Sequence, residues 1–313
     1  MKGLELSKEY YEAYGKKMLE EDFSDCLPYI SVGLLGSGSE VLGFDDDVSE
    51  DHDFEPGFCV FLPEENVIDR KRAFEMERAY AKLPSEFKGY TKLKVAPAGG
   101  ARHGVVRLSD FLYEKLGCAN GVLDTYAWLK IPTNYLCEVT KGEIFYDGDG
   151  TLSTIREKLL LMPKDIRLKR LAGHLLLMSQ SGQYNYPRMV KRGELAAAGL
   201  CIDEFVRNAL ASIYLLNNEY MPYYKWQFRG LKELDILSEL ALPLEMLMIT
   251  GNEMNKTQEK ADRIEFVAGM IIEELMSQGI TSAICGDLTK HAVSVNDYVS
   301  DGNLRNMNIL SGV

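Results

Sequence analysis

Long apolar runs are missing from this sequence, and so is the apolar core of a signal peptide near its first residues. A helix that crosses a bilayer needs about twenty consecutive apolar residues, and a secretory signal needs a shorter run of the same kind. We therefore expect a cytoplasmic protein.

Clustered cysteines are missing as well. Six cysteines are scattered singly along the chain, without a C-x-x-C pair. Zinc sites and disulfide frameworks use cysteines in clusters or at set spacings, and cytosolic chains rarely carry structural disulfides. We expect the cysteines to be buried thiols that bind no metal.

An excess of basic residues is also missing. The chain has 35 Lys and Arg against 47 Asp and Glu, which gives a formal net charge of -12. Lysine and arginine neutralise phosphates when a protein binds DNA nonspecifically, so this balance argues against a protein that wraps duplex DNA. An acidic cleft would instead suit a cationic acceptor.

Candidate functional residues are concentrated in one stretch of the sequence, residues 34–54, LLGSGSEVLGFDDDVSEDHDF. The apolar run 29–35 is short and is followed by glycine, which predicts a buried strand. In the segment GSGS (36–39) the missing side chains let the backbone turn sharply, and main-chain N–H groups and serine hydroxyls can donate to an anion. Residues 40–42 then predict a short helical turn that ends at Gly43.

Two carboxylates follow at alternate positions. Asp51 and Asp53 precede the apolar segment 58–62, and on an extended strand their side chains share one face. Two carboxylates on one face are costly unless positive charge lies between them. Mg²⁺ commonly takes one or two carboxylates together with substrate phosphates. The pattern predicts a site for nucleotide phosphates and metal.

The order of these features resembles the signature of the nucleotidyltransferase superfamily of DNA polymerase β and kanamycin nucleotidyltransferase. Gly38-Ser39 followed by Gly43 fits its G-S-x-x-x-G form, with eleven residues between Ser39 and the first aspartate of Asp-x-Asp. The preceding Gly-Ser pair also fits the spacing, but it leaves Gly43 unexplained. The fuller string is most similar to an uncharacterised bacterial branch of that superfamily, a domain family of unknown function.

The resemblance implies an α+β protein. Residues 1–155 would form a nucleotidyltransferase-fold mixed sheet with flanking helices, and residues 156–313 an all-helical bundle domain. The pattern along the chain agrees with this division, because strand-like segments give way to long helical patterns near residue 155.

The resemblance also implies an activity, the Mg²⁺-dependent transfer of a nucleoside monophosphate from ATP or another nucleoside triphosphate to a hydroxyl of an acceptor. Gly38 and Ser39 would hold the triphosphate, and Asp51 and Asp53 would be the catalytic metal ligands. A small, aminoglycoside-like molecule is the leading acceptor class. Three alternatives stay open: modification of a protein or RNA end, as in toxin-antitoxin pairs; nucleotide binding without catalysis; and metal-dependent phosphohydrolysis.

The sequence departs from the superfamily at one position. A third carboxylate often lies on a later strand, but the predicted strand 104–108 contains no acidic residue and has Arg107 within it. Candidates for the catalytic base are then Glu138 in a predicted strand 136–139, Asp147 and Glu194.

A second cluster, residues 217–229, combines aromatic rings with Lys225 and Arg229. Such rings and cations can stack on a nucleobase and neutralise phosphates, whereas core packing is the alternative. The resemblance favours binding, because kanamycin nucleotidyltransferase-like enzymes bind ligands in a cleft between sheet and helical domain, a common location for ligands. We assign Lys225 and Arg229 to nucleotide binding.

The periodicity of apolar residues predicts several long helices. They cover 8–21, with Ser7 as the amino-terminal cap, 164–180, 193–218 and 256–277. The aromatic and basic segment 183–192 is predicted to be a loop that runs into a helix.

Overall fold

A computed structural model of the chain describes residues 1–49, 54–92, 102–251 and 254–313. The chain divides into two compact units. The first comprises Met1–Leu123 and Asn134–Leu160, and the second comprises Asp124–Thr133 and Leu161–Val313. Within the described ranges no helix is both long and apolar enough to cross a membrane.

The strands that the structure describes all lie in the first unit. They are β1 (Ser31–Leu34), β2 (Cys59–Leu62), β3 (Glu86–Phe87), β4 (Tyr90–Thr91), β5 (Gly104–Arg107) and β6 (Glu143–Asp147). Four of them form a mixed sheet in the order β5-β2-β1-β6, and β3 pairs with β4 separately. Strand β1 is antiparallel to both of its neighbours, whereas β2 and β5 are parallel. The protein is therefore α+β, as expected.

The α-helices occur in both units. In chain order they are α1 (Gly3–Tyr10), α2 (Lys16–Asp22), α3 (Ser39–Leu42), α4 (Arg70–Ala81), α5 (Leu108–Leu116), α6 (Thr125–Lys130), α7 (Thr133–Thr140), α8 (Thr151–Leu160), α9 (Lys164–Met178), α10 (Tyr186–Lys191), α11 (Leu195–Leu216), α12 (Gln227–Leu231), α13 (Ala241–Ile249), α14 (Thr257–Ser277), α15 (Leu288–Asp297) and α16 (Gly302–Asn306). The second unit contains helices α6 and α9 to α16, so we call it the helical unit.

The core of the first unit forms between the amino-terminal helices and the sheet. The rings of Tyr10 and Tyr11 lie 6.0 and 5.4 Å from the ring of Phe58, which precedes β2. Val32 of β1 and Val60 of β2 are partners in register and are fully buried. Burial of apolar surface contributes about 25 cal/mol per Å², and it holds the two central strands against the helices.

The first helix begins earlier than predicted. Its first residue is Gly3, so the assignment of Ser7 as the cap is wrong: Ser7 is buried and its Oγ donates to the carbonyl of Gly57 at 2.6 Å. The N–H of Gly3 donates to Asp45 Oδ2 at 2.8 Å. Asp45 is far from Gly3 in the sequence, so local capping patterns do not predict this contact. Helix α1 then continues through the π-helical turn Tyr11–Gly15 into α2.

Residues 136–139 belong to helix α7, so the strand predicted there is wrong. The side chains of Leu136, Cys137, Val139 and Thr140 are buried, and Thr140 Oγ1 donates to the carbonyl of Leu136 at 2.7 Å. A short apolar run does not distinguish a strand from a buried helix segment. In this segment the buried residues are three and four positions apart, and this spacing places them on one face of a helix.

The predicted long helices of the second half are confirmed as α9, α11 and α14, with ends shifted by one or two residues. Helix α9 packs against α11 and α15. Its Lys169 is completely buried, and the ammonium donates to Asn296 Oδ1 and to the carbonyls of Arg305 and Met307 at 2.8, 3.2 and 2.7 Å. Three acceptors replace the lost water, as a buried charge requires.

The loop predicted over 183–192 is instead helical. Helix α9 passes into the π-helical segment Ser179–Asn185 and then into α10. The side chain of Gln183 accepts from the N–H of Leu288 at 3.0 Å and donates to the carbonyl of Gly286 at 2.8 Å. Tyr186 is 1% exposed. Packing against α15 and α14 therefore overrides the polar and basic composition that suggested a loop.

Burial of His174 in α9 lowers its pKa to about 4, and the nearby Arg170 acts in the same direction. The hydrogen bond between His174 Nδ1 and Asn208 Oδ1, 2.8 Å, acts in the opposite direction. Asn208 Nδ2 donates to the carbonyl of Glu204 at 2.7 Å, which leaves Oδ1 as the acceptor for a neutral ring protonated at Nδ1. The ring is therefore neutral in the folded protein at neutral pH.

We expect the free energy of unfolding of the helical unit to fall as the pH is lowered from 6.5 towards 4, because unfolded His174 then binds a proton that the folded ring does not. His174→Gln should remove this part of the pH dependence, on the order of 2–3 kcal/mol. The measurement is urea unfolding followed by tryptophan fluorescence at a series of pH values. Both tryptophans, Trp128 and Trp226, lie in the helical unit.

Equal slopes of unfolding free energy against pH in wild type and His174→Gln would contradict the lowered pKa of His174.

Candidate functional site

The glycine-serine segment forms the turn between β1 and α3, as predicted. Gly36 and Gly38 have φ of +102° and +151°, values that L-residues rarely adopt. Helix α3 begins at Ser39, and Gly43 ends it in the left-handed conformation with φ of +74°. Two glycines thus reverse the chain directly after the central strand, and both serines of the segment are accessible to solvent to some degree.

Glu138 of α7 binds this turn through both its main chain and its side chain. The N–H of Gly36 donates to the carbonyl of Glu138 at 2.9 Å, and Ser37 Oγ donates to Glu138 Oε2 at 2.9 Å. The ammonium of Lys115, from the last turn of α5, lies 2.9 Å from the same Oε2 and 3.4 Å from Ser37 Oγ. A hydroxyl, a carboxylate and an ammonium therefore meet on the Ser37 side of the turn.

Lys115 is held as a cation at this position. Burial opposes its charge, but hydrogen bonds to Glu114 and Glu138 raise its pKa above the usual range. The distance from Nζ to Glu114 Oε1 is 2.8 Å. Lys115 was not predicted from the sequence, because a lysine near the end of an amphipathic helix has no distinctive pattern.

The Gly38 side of the turn is covered by Glu40. This side chain is 10% exposed, and its carboxylate occupies the space that a Cβ on Gly38 would need. Burial raises the pKa of Glu40, whereas Arg102 and His103 act in the opposite direction. Arg102 Nη1 lies 3.8 Å from Glu40 Oε1. A second carboxylate and a second cation therefore lie beside the turn.

The acidic segment after α3 is partly structural. Asp45 is 4% exposed, and its carboxylate accepts the N–H of Gly3 and lies 3.5 Å from the ammonium of Lys2. Asp46 Oδ1 accepts from the N–H groups of Val48 and Ser49, both at 3.2 Å. These contacts anchor the start of the segment to α1 and fold it into a turn.

The predicted metal ligands Asp51 and Asp53 lie outside the described residues. Among the residues that are described, no group of three or more His, Cys, Asp or Glu side chains is arranged to hold a metal ion. Gly38 and Ser39 lie at the turn as predicted, with Ser39 Oγ 3.5 Å from Glu40 Oε2.

The three predicted candidates for the catalytic base, Glu138, Asp147 and Glu194, lie in different environments. Glu138 is at the turn. Asp147 of β6 accepts from Ser31 Oγ and from the N–H of Ser153, both at 2.8 Å, so its carboxylate joins β1 to the start of α8. Glu194 is exposed at the start of α11, in the helical unit.

Arg107 has a structural contact at the position where a third carboxylate was expected. It is the last residue of β5, and its Nη1 donates to the carbonyl of Pro63 at 2.5 Å. The guanidinium therefore fixes the chain that leaves β2, the neighbouring strand.

Lys225 and Arg229 lie around one indole ring in the helical unit. Lys225 Nζ is 5.3 Å and the guanidinium carbon of Arg229 is 5.8 Å from the ring of Trp226. Tyr223 and Tyr224, whose rings are 4.5 Å apart, are 50% and 69% exposed. This part of the cluster is therefore a surface with aromatic and cationic groups, whereas Tyr220 before it is buried.

Residues 128–227, which include parts of both units, match a known family model. The model describes a domain of unknown function, DUF4037, and it matches residues 128–227. The matched span runs from α6 to the start of α12 and includes Glu138 and Lys225, but it does not reach the glycine-serine turn. A search of curated proteins found no match.

We expect Asp45→Asn to loosen helix α1, because the charged acceptor for its first N–H and for Lys2 is lost. A carboxylate near a helix start and a charged hydrogen bond contribute on the order of 1–2 kcal/mol. Hydrogen exchange of the α1 amides, measured by mass spectrometry, should become about tenfold faster.

Asp47→Asn is the matched control for this experiment, since Asp47 is exposed in the same loop. Unchanged exchange in Asp45→Asn, or an equal acceleration in both variants, would contradict the anchoring role of Asp45.

Proposed function

We propose that this protein is a Mg²⁺-dependent nucleotidyltransferase that transfers a nucleoside monophosphate from ATP or another nucleoside triphosphate to an acceptor hydroxyl. The observation that carries the proposal is the turn after β1, where two glycines of positive φ and two serines lie beside the ammonium of Lys115. The proposal includes the nucleotidyltransferase fold for the first unit, supported by its mixed sheet and the position of the turn at the end of a central strand.

The chemistry of the turn suits a chain of phosphates. Glycine at positions 36 and 38 lets main-chain N–H groups come close to an anion, and the hydroxyls of Ser37 and Ser39 can donate to phosphate oxygens. Lys115 and Arg102 lie on either side of the turn, where each is paired with a glutamate and could pair with phosphate instead. Charge-assisted hydrogen bonds of this kind are roughly twice as strong as neutral ones.

The donor chemistry of the proposed metal ligands fits Mg²⁺. Asp51 and Asp53 would hold it, because carboxylate oxygens are the hard ligands that this ion prefers. The segment that bears them leads into β2, which lies next to β1 in the sheet. Bound there, Mg²⁺ would offset the negative charge that develops during phosphoryl transfer.

In the proposed reaction the acceptor hydroxyl oxygen forms a bond to the α-phosphorus, and the bond from that phosphorus to the β-phosphate oxygen breaks. Pyrophosphate leaves, and the hydroxyl proton passes to a carboxylate or to water. The chain contributes by binding and orienting the triphosphate at Gly38 and Ser39, so that attack occurs in line.

The acceptor in this proposal is a small cationic molecule of the aminoglycoside type, because an acidic protein attracts positively charged ligands. Lys225 and Arg229 are proposed to contact the nucleotide, with support from the exposed rings beside them. The proposed location is the cytoplasm.

One alternative has an observation in its favour, nucleotide binding without catalysis. Arg107 stands where a third carboxylate was expected, and its guanidinium is engaged with the carbonyl of Pro63. Binding of a nucleotide without turnover on small molecules, proteins or RNA would favour this alternative over the transferase.

The test is calorimetric titration of ATP, CTP, GTP and UTP with and without Mg²⁺. We expect Mg²⁺-dependent binding of at least one nucleotide, and its loss in Asp51→Asn with Asp53→Asn, because the two carboxylates that are proposed to hold the metal lose their charge. Lys225→Ala with Arg229→Ala should weaken nucleotide binding about tenfold if these cations contact phosphate.

Asp46→Asn with Asp47→Asn removes the same charge from the neighbouring loop and should leave binding within about twofold of wild type. Thermal unfolding of each variant confirms that it is folded. Nucleotide binding that ignores both the metal and the Asp51/Asp53 pair, or no binding at all, would contradict the proposal.

A further inference from the structure

On the Ser37 side of the turn, a hydroxyl and an ammonium both contact an anion of the protein itself, the carboxylate of Glu138. Glu138 Oε2 accepts from Ser37 Oγ and contacts the ammonium of Lys115, both at 2.9 Å. A phosphate oxygen uses the same two donors, a hydroxyl and an ammonium. The carboxylate and a phosphate therefore compete for one position.

We propose that Ser37 and Lys115 form a subsite for a phosphate of the polyphosphate chain, and that the Glu138 carboxylate fills this subsite until a polyphosphate displaces it. The inference rests on the proposed function, since it assigns a second part of the same turn. The phosphate contact that the motif predicts, Ser39, lies two residues further along.

Local charge makes the displacement necessary. Lys115 is paired with two carboxylates, Glu138 at 2.9 Å and Glu114 at 2.8 Å, so the group of three carries a net negative charge. The side chains of Lys115 and Glu138 are only 11% and 14% exposed, and water screens their interaction weakly. A phosphate that approached Ser37 with Glu138 in place would be repelled by it.

The backbone can remain fixed while the side chain moves. Gly36 donates to the main-chain carbonyl of Glu138 at 2.9 Å, and its neighbours Cys137 and Val139 in α7 are buried. Rotation about the side-chain bonds of Glu138 is enough to release Ser37 Oγ and Lys115 Nζ together. Lys115 then exchanges one anionic partner for another and stays paired throughout.

Glu114 provides a matched control. It contacts the same ammonium, but its side chain is 70% exposed and the described contacts of Ser37 Oγ are to Glu138 and Lys115. Removal of the Glu114 charge changes the pairing of Lys115 without vacating the subsite. The effects on binding of removing the Glu138 charge and the Glu114 charge can therefore be compared. A larger effect at Glu138 indicates occupancy of the subsite, whereas equal effects indicate a general change in charge.

The test uses inorganic tripolyphosphate without metal as the probe, with calorimetric titration of the full chain at fixed ionic strength. We expect Glu138→Gln to bind tripolyphosphate about tenfold more tightly than wild type, because the competing charge is gone. Glu114→Gln should change the affinity by less than about threefold, in keeping with an exposed pair. Glu138→Ala provides a second variant with the same expected direction.

Lys115→Met completes a double-mutant cycle. It should weaken tripolyphosphate binding about tenfold, and Glu138→Gln should gain much less affinity in the Lys115→Met background, because the two residues share one site. Additive effects of the two substitutions would overturn the inference.

The outcomes separate the inference from the proposed function. Mg²⁺-dependent nucleotide binding that requires Asp51 and Asp53, combined with unchanged or weaker tripolyphosphate binding in Glu138→Gln, would overturn the subsite and leave the transferase proposal standing. Tighter tripolyphosphate binding in Glu138→Gln, combined with nucleotide binding that ignores Asp51 and Asp53, would support the subsite and contradict the transferase. Absence of tripolyphosphate binding in wild type and both Glu138 variants would overturn the subsite.

Discussion

The close pairing of β1 with strands on both of its sides is the constraint on which the first unit depends. At Gly33, where the register with β6 shifts, a Cβ would lie 2.5 Å from the carbonyl oxygen of Glu143. Only glycine permits that approach. The strand is fully buried along its length, so the chain must leave it through a turn that needs little space. The glycines at 36 and 38 meet that requirement, and the carboxylate of Glu40 takes the space that a Cβ on Gly38 would need.

The electrostatics of the turn follow from this crowded geometry. Lys115 and Arg102 approach the turn from different segments of the chain, and each lies near a glutamate, Glu138 or Glu40. Cations near buried surface are stable when they are paired. A polyphosphate at this turn would therefore bind by exchange of ionic partners. Its affinity would depend on how readily Glu138 and Glu40 release the two cations, as well as on the cations themselves.

The elements with local causes could be predicted from the sequence. The strand before the turn, the helix that ends at Gly43 and the long helices α9, α11 and α14 all have apolar periodicity or glycine at their ends. The wrong predictions concern segments whose structure is determined by a residue far away in the sequence. Asp45 moves the start of α1 to Gly3, and Gln183 joins a polar segment to α15.

The candidate site shows the same division. The turn at Gly38 and Ser39 was predicted because the motif is contiguous, whereas Lys115 was not predicted beside it because it reaches the turn only through the packing of α5. Glu138 was proposed for the wrong reason, as a residue of a strand. Its contact with Ser37 depends on α7, whose helical period a four-residue run could not reveal.

The proposed nucleotide and metal site is tested most directly by a crystal structure of the protein with Mn²⁺ and a non-hydrolysable nucleoside triphosphate, with anomalous scattering used to locate the metal. We expect an anomalous peak bound by Asp51 and Asp53 and a triphosphate whose oxygens contact Ser39 and the adjacent glycine backbone. A metal bound elsewhere, or a nucleotide that does not touch the turn after β1, would contradict it.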